Sequence, residues 1–303
     1  MVETTRICSH TFAAIPKTYP KFINFKKASR FSKNLDSTGK FNKLLQYKNM
    51  KRRCANLDSE TFQNQMHARG KQRVEEAITC LKLSKHDPTT GLLLDLGCGP
   101  GYLHEYFLKV GIEAVGVEIV RKKIKSAKRN VPKGSFILAD GCNLPFKKEC
   151  FNTVITNDVL EHVPYNLADT MLNEVKRALK AGGLFYISVA NRYQINEPHT
   201  QIPFLTWFPR PCWNAIHKIL RKCQMKDVYY PYTTGTLKKL CRSTKFSYKD
   251  FTWMYALNKT SKTDYIGNRT VRKIVQIINK LGFFRMAQAI AEKVSIIVFV
   301  CSK

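Results

Sequence analysis

One carboxylate and three glycines stand close together in Asp95-Leu96-Gly97-Cys98-Gly99-Pro100-Gly101. Glycines at alternate positions suit a tight turn where the backbone approaches a ligand closely. A dinucleotide site would space them G-x-G-x-x-G; here the third glycine comes one residue early. Asp95, two residues before the first glycine, would repel a pyrophosphate. It suits the ammonium end of an amino acid.

Two further acids close apolar runs. Glu118 ends Ile112-Glu113-Ala114-Val115-Gly116-Val117-Glu118, and Asp140 ends Ser135-Phe136-Ile137-Leu138-Ala139-Asp140 before Gly141. An acid at the tip of a second strand is placed to accept hydrogen bonds from both ribose hydroxyls. Asp140 is placed to meet an adenine amino group. A ligand that is part amino acid and part nucleoside satisfies all three, and S-adenosylmethionine is such a molecule.

The elements that must position these residues are legible. Leu92 to Leu96 reads as a buried strand, and Tyr102 to Val110 as a helix pointing its N-terminus at the glycine turn. Phe151 to Asp158 is a fourth strand, running into Val159-Leu160-Glu161-His162-Val163. A helix follows with apolar Leu167, Met171, Leu172, Val175, Ala178 and Leu179. Gly182-Gly183 ends it, and Leu184 to Val189 is a fifth strand. Gln65 to Leu83 is a helix before the first strand. Leu237 to Lys245 is a later helix, Phe246 to Met254 a sixth strand and Ser295 to Cys301 the last. Val271, Ile274, Ile277, Ile278 and Leu281 recur at helical spacing within 255–293, which predicts added helix there.

In this order the motifs resemble the class I S-adenosylmethionine-dependent methyltransferases. They look most like the broad group that includes ubiquinone and menaquinone biosynthesis methyltransferases and many small-molecule methyltransferases. The residues are Asp95 to Gly101, Glu118, Ala139-Asp140-Gly141, Leu144-Pro145-Phe146, Asn157-Asp158-Val159-Leu160-Glu161-His162-Val163 and Leu179-Lys180-Ala181-Gly182-Gly183. The resemblance covers about residues 65 to 190. It implies a Rossmann-like α/β fold: a seven-stranded mixed sheet with helices on both faces and the last strand antiparallel beside the fifth. It also implies that Asp95, Gly97, Gly99 and Gly101 surround the methionine part of the cofactor. Glu118 would hold the ribose, Asp140 with Gly141 and Cys142 would flank the adenine, and Asn157 would sit beneath the cofactor.

The resemblance leaves the acceptor open. His162 just past the fourth strand, and His199 with Glu197 as its orienting carboxylate, are the candidate bases. Tyr193, Phe204 and Trp207 are the candidate substrate-side residues. Ile202 to Pro211 is too proline-rich for a plain helix and aromatic for a surface loop. It would line an acceptor pocket, dip into a membrane interface or cover the sheet edge. Trp213 to Lys222 is amphipathic and basic, as interfacial helices are. Methyltransferases acting on adenine or glutamine amide nitrogens carry Asn or Asp, two prolines and an aromatic residue where this chain has Asn157-Asp158-Val159-Leu160. That departure argues against a base-amino target.

The net charge is +29 over 303 residues, unevenly placed. Residues 1–53 hold 13 basic and 2 acidic side chains, residues 54–91 balance, residues 92–199 hold 14 and 11, and residues 200–303 hold 19 and 4. Basic flanks suit an acidic partner such as RNA, anionic lipid or a phosphorylated substrate. The chain is read as a basic extension, partly disordered, over 1–64 and a methyltransferase domain over 65–303, with substrate-side insertions at about 191–232 and 255–293. The ten cysteines form no C-x-x-C and no Cys/His cluster, which argues for a reducing compartment and against a metal. No segment has the roughly 18 apolar residues needed to span a bilayer. A cytoplasmic location follows, with peripheral membrane attachment and organellar targeting by the basic N-terminus as the alternatives.

The leading expectation is methyl transfer from S-adenosylmethionine to a small-molecule or lipid-like acceptor, at oxygen or carbon, near an anionic surface. The second is RNA methylation with the basic flanks on phosphates, and the third a non-catalytic module of the same fold that binds a partner.

Overall fold

The computed structural model of the protein describes residues 60–195, 197, 202–220, 229–254, 277–278 and 280–303. Its strands are β1 (Leu93–Leu96), β2 (Ala114–Glu118), β3 (Ser135–Leu138), β4 (Phe151–Asn157), β5 (Leu179–Val189), β6 (Ser247–Asp250) and β7 (Ile297–Ser302). They form one seven-stranded sheet in the order β3-β2-β1-β4-β5-β7-β6. It is mostly parallel with one antiparallel strand, the Rossmann-like arrangement expected above. β1, β2 and β3 are buried along their whole length, as parallel strands covered on both faces must be.

The register sets the acids. Asp95 on β1 lies opposite Gly116 on β2 and Ile155 on β4, and Glu118 lies opposite Leu138 on β3. Asp95, Glu118, Asp140 and Asn157 therefore sit at the carboxyl ends of four adjacent parallel strands. The strand order reverses between β1 and β4, which is where open α/β sheets bind ligands.

The chain divides into two compact units, one comprising residues to Asn157 with 167–186 and 302–303, the other 158–166 and 187–301. β5 runs from the first into the second. The first unit holds α1 (Glu60–Leu83), α2 (Tyr102–Lys109), α3 (Arg121–Asn130) and most of α4 (Tyr165–Ala178). α1 packs on the start of α2. A Cβ at Gly70 would stand 2.6 Å from the Tyr102 carbonyl oxygen, so that contact requires glycine. His67 bonds Glu105 across the same contact. α4 buries Ala168, Met171, Leu172, Val175 and Ala178 at helical spacing. Its Arg177 holds the connection before β4, donating to the carbonyls of Phe146 at 2.8 Å and Leu144 at 3.1 Å.

The second unit contains α5 (Arg210–Ile219), α6 (Thr234–Ser243) and α7 (Phe284–Val294). Its buried cluster is Ala190, Ile202, Leu205, Trp213 and Tyr229. α6 opens on a capping box between Thr233 and Thr236. That is why it starts before the Leu237 expected from apolar spacing; the motif usually advertises itself through a Glu or Gln, not a second Thr.

Several boundaries differ from the sequence reading. β5 begins at Leu179, not Leu184, because the carbonyls of Arg177 and Ala178 accept the N–H groups of Glu149 and Cys150 at 2.9 and 2.8 Å and end the helix early. Leu167 is exposed rather than on the buried face of α4. The sixth strand stops at Asp250, whose carboxylate accepts the Thr252 N–H at 3.0 Å and turns the chain. Proline-rich 202–211 holds a short 3-10 turn at Leu205–Trp207, and α5 starts at Arg210, three residues before the expected start. α3 was not anticipated: only Ile124 and Ala127 are buried in it, too sparse a pattern to announce a helix. It carries Arg121, Lys122, Lys123, Lys125, Lys128 and Arg129 and no acid, so the near-neutral core conceals an all-basic surface helix. Residues 1–59 and 255–276 lie outside the described residues, and with them most of the N-terminal extension and much of the second insertion.

Candidate cofactor site

The glycine turn follows β1 directly. Gly97, Gly99 and Gly101 have φ values of 84°, 54° and 89°, all in the left-handed region where a side chain is strained. The N–H groups of Gly97 and Cys98 both donate to the Val117 carbonyl, at 2.7 and 3.0 Å, and that of Gly101 donates to Cys98 at 2.9 Å. Pro100 has none. Three N–H groups are thus engaged within the fold, which suits the turn poorly to a pyrophosphate. At Gly101 a Cβ would lie 3.3 Å from Ala127, Phe136 and Val131, so this glycine lets α2 seat against α3 and β3. At Gly99 a Cβ would meet nothing nearer than the Gly97 oxygen at 4.0 Å. That side of the turn is open.

Asp95 is 3% exposed. Its Oδ2 is buried and has no hydrogen-bond partner among the described residues. Nδ1 of His104 lies 3.7 Å away, beyond hydrogen-bond reach. His104 is fully buried on α2 and packs against the Phe136 ring. An unpartnered buried acceptor costs about 1–3 kcal/mol. A cationic ligand group on this carboxylate would remove that cost, and the open face at Gly99 provides room for it. The residues present therefore fit the amino-acid end of S-adenosylmethionine.

The other acids are held by their own loops. Glu118 accepts the Val120 N–H on Oε1 at 2.9 Å, and its Oε2 lies 3.8 Å from the Lys123 ammonium. Asp140 accepts the Cys142 N–H on Oδ1 at 2.8 Å. Each carboxylate is oriented by the backbone N–H two residues on, so the strand tip and the acid's direction are set together. Gly141 approaches Leu96 and Met171 closely enough that a Cβ would make ordinary contact. Asn157 is half-buried at the end of β4.

Burial first, then Asp95 and Glu118, pushes the Cys98 thiol well above its usual range. Cys98 is a neutral packing group. Burial and neighbouring Asp140 push the Cys142 thiol up to about 12. At pH 8 its thiolate fraction is then on the order of 10⁻⁴, against about 0.1 for an ordinary thiol. Peptide mapping after iodoacetamide at pH 8 is expected to find exposed Cys212 modified and Cys142 unmodified until the protein is unfolded. Modification of native Cys142 at the Cys212 rate would contradict this environment.

All nine residues assigned to the cofactor, Asp95, Gly97, Gly99, Gly101, Glu118, Asp140, Gly141, Cys142 and Asn157, lie in the first unit. His104 and Lys123 join them and were not anticipated. The signal for His104 was a histidine between Tyr102 and Phe107, which share its burial, and that pattern reads as a core position. The residues assigned to the acceptor lie in the second unit. His162 ends a 3-10 turn at Leu160–His162, half-buried, its ring 6.1 Å from that of Tyr229. Glu197 is fully buried. His199 lies outside the described residues, so the Glu197–His199 pair has no geometry here. Tyr193, Phe204 and Trp207 form one aromatic cluster, with ring centroids 5.8 and 5.2 Å from Trp207. Among the described residues no three His, Cys, Asp or Glu side chains are grouped to hold a metal ion.

Residues 94–187 match the family model of a methyltransferase domain. The chain is 37% identical over 112 residues to an uncharacterized methyltransferase of Mycobacterium leprae, covering 36% of this chain and 41% of that protein. It is 32% identical over 125 residues to a ubiquinone biosynthesis O-methyltransferase of Bradyrhizobium sp., covering 40% and 46%. The chain thus spans less than half the length of these relatives. A SAM-dependent methyltransferase structure from Archaeoglobus fulgidus is 18% identical with a TM-score of 0.47, covering 78% of this chain and 92% of that one. With three acids on adjacent strand tips around an open glycine turn, residues 94–187 belong to the class I S-adenosylmethionine-dependent methyltransferases, and S-adenosylmethionine is the cofactor of this domain.

Proposed function

We propose that the protein transfers a methyl group from S-adenosylmethionine to a small-molecule or lipid-like acceptor, at oxygen or carbon, at a membrane surface. One observation carries the reading: the second unit exposes Tyr193, Phe204 and Trp207 together, a polarity suited to an apolar acceptor. The Bradyrhizobium relative's name supports oxygen as the methylated atom. When bound, S-adenosylmethionine supplies a sulfonium-activated methyl group. The chain's part is to hold: Asp95 the ammonium, Glu118 the ribose hydroxyls, Asp140 the adenine edge. Positioning of this kind can contribute about 7–11 kcal/mol to a two-substrate reaction. His162 is the base that would take the proton from an acceptor hydroxyl, with His199 and Glu197 as the alternative pair.

The basic helix α3 favours a second reading, in which RNA is the acceptor and Arg121, Lys122, Lys125 and Arg129 bind phosphates. Methyl-labelled S-adenosylmethionine separates the two. The full chain is offered a catechol with a long alkyl tail in one reaction and total RNA in another. Label that enters the organic extract is the expected result. Label that precipitates with RNA, with an affinity falling steeply in salt, would replace the first reading with the second.

A further inference from the structure

We infer that the loop and helix spanning 202–220 are a docking surface for the interface of an anionic membrane. This deepens the proposed function and rests on it, since it names the surface on which a lipid-like acceptor would be met. Phe204, Trp207 and Phe208 are 44%, 46% and 49% exposed, and Ile219 is 77% exposed at the end of α5. Tyr193 joins them at the edge of the Trp207 ring. Scattered exposed apolar residues need no explanation, but the rings of Tyr193, Phe204 and Trp207 meet one another, and a contiguous exposed group marks an interaction site.

The exposure is built, not incidental. Phe204 has φ 57°, a left-handed backbone that a bulky residue adopts only under constraint. Its N–H donates to the Ile195 carbonyl at 2.6 Å, and the Thr206 hydroxyl donates to that of Arg192 at 2.5 Å. Trp207 Nε1 donates to the Gln194 carbonyl at 3.2 Å, and Trp213 Nε1 to that of Phe208 at 3.0 Å. Beneath them Ile202, Leu205 and Trp213 are buried. The loop is therefore anchored on its inner side while three large apolar side chains face outward.

The chemistry of the surface selects the occupant. The indole N–H of Trp207 is already bonded, so what it exposes is apolar. Its ring meets Tyr193 and Phe204 edge-on, at 87° and 83°, an arrangement that fills space and presents no parallel platform for stacked bases. Ile219 and Leu220 cannot stack bases either. Arg210 and Lys218 lie within residues 202–220, which contain no acid; the Arg210 guanidinium lies over the Tyr230 ring, 4.4 Å from its centroid. Aromatic and aliphatic side chains beside cations without acids match the interface of a bilayer with anionic headgroups.

The test is sedimentation of the full chain with phosphatidylcholine vesicles, with and without phosphatidylglycerol, for the wild type and the double variant Phe208→Ser/Ile219→Ser. Binding that needs phosphatidylglycerol and falls at least tenfold in the variant is expected. Titration of S-adenosylhomocysteine runs in parallel: an unchanged affinity shows that the variant is folded. Brominated acyl chains provide a readout without substitution, since they quench Trp207 only if it enters the bilayer. No vesicle binding, binding that the variant leaves intact, or absence of quenching would each overturn the docking surface. Capture of RNA or of a second copy through these residues, with no vesicle binding, would overturn it as well. A protein that binds vesicles but not S-adenosylhomocysteine would instead overturn the methyltransferase function.

Discussion

Glu118→Ala is expected to weaken S-adenosylhomocysteine binding at least tenfold, about 1.4 kcal/mol or more. Glu118 closes β2, is nearly buried, and is held by the Val120 N–H on one oxygen with Lys123 near the other. An oriented carboxylate at that strand tip can accept both ribose hydroxyls, and hydrogen bonds to a charged group are worth about 1.5–3 kcal/mol. Alanine removes both and also leaves Lys123 without its acid. The fold should tolerate the change, because the substitution creates no clash in β2. Isothermal titration measures the loss, and thermal unfolding of the same sample controls for folding. Equal affinity in a folded variant would remove Glu118 from the site.

The second large effect separates two glycines of the same turn. Gly101→Ala is expected to lower stability by about 2–4 kcal/mol, combining left-handed backbone strain with overpacking. Its Cβ would press on Ala127, Phe136 and Val131 at 3.3 Å, and these come from α3, the residue after it and β3, so none can yield alone. Gly99→Ala should cost only about 1 kcal/mol of strain, because its Cβ would meet nothing nearer than the Gly97 oxygen at 4.0 Å. That Cβ enters the open face where the cofactor would lie, so binding of S-adenosylhomocysteine should fall tenfold or more. Urea unfolding and titration of both variants give the comparison. If Gly99→Ala binds normally, the open face is not the ligand side of the turn.

These expectations rest on a site that was largely legible before the fold was known. Asp95, Glu118 and Asp140 each end a short apolar run, and the tip of a parallel strand is where an α/β sheet binds its ligand. The information is local: strand, turn and helix lie within about twenty residues of each acid, and glycine spacing reports the turn directly. α3 was missed for an equally local reason. A helix that buries only Ile124 and Ala127 has almost no apolar period, and its stability comes from packing beside β2 and β3. The early start of β5 was hidden because carbonyls captured by the Glu149–Cys150 backbone, a long-range contact, decide where α4 stops.

The amino-acid sequence by itself determined the methyltransferase class and the cofactor of residues 94–187, and it nominated nine residues to hold that cofactor, because each reading depends on short-range patterns that survive without knowledge of packing. Tertiary structure alone decided three things. It set His104 Nδ1 3.7 Å from Asp95 Oδ2, leaving that buried carboxylate oxygen without a hydrogen-bond partner among the described residues. It made a helix of Arg121–Asn130 that buries only Ile124 and Ala127, so the six cations already adjacent in the sequence lie along one surface element. It also turned Phe204, Trp207 and Phe208 outward, where their composition alone was equally compatible with a core. In all three cases the deciding quantity is which neighbours, protein or solvent, a side chain meets. That depends on what the rest of the chain packs against it, and no local spacing encodes it.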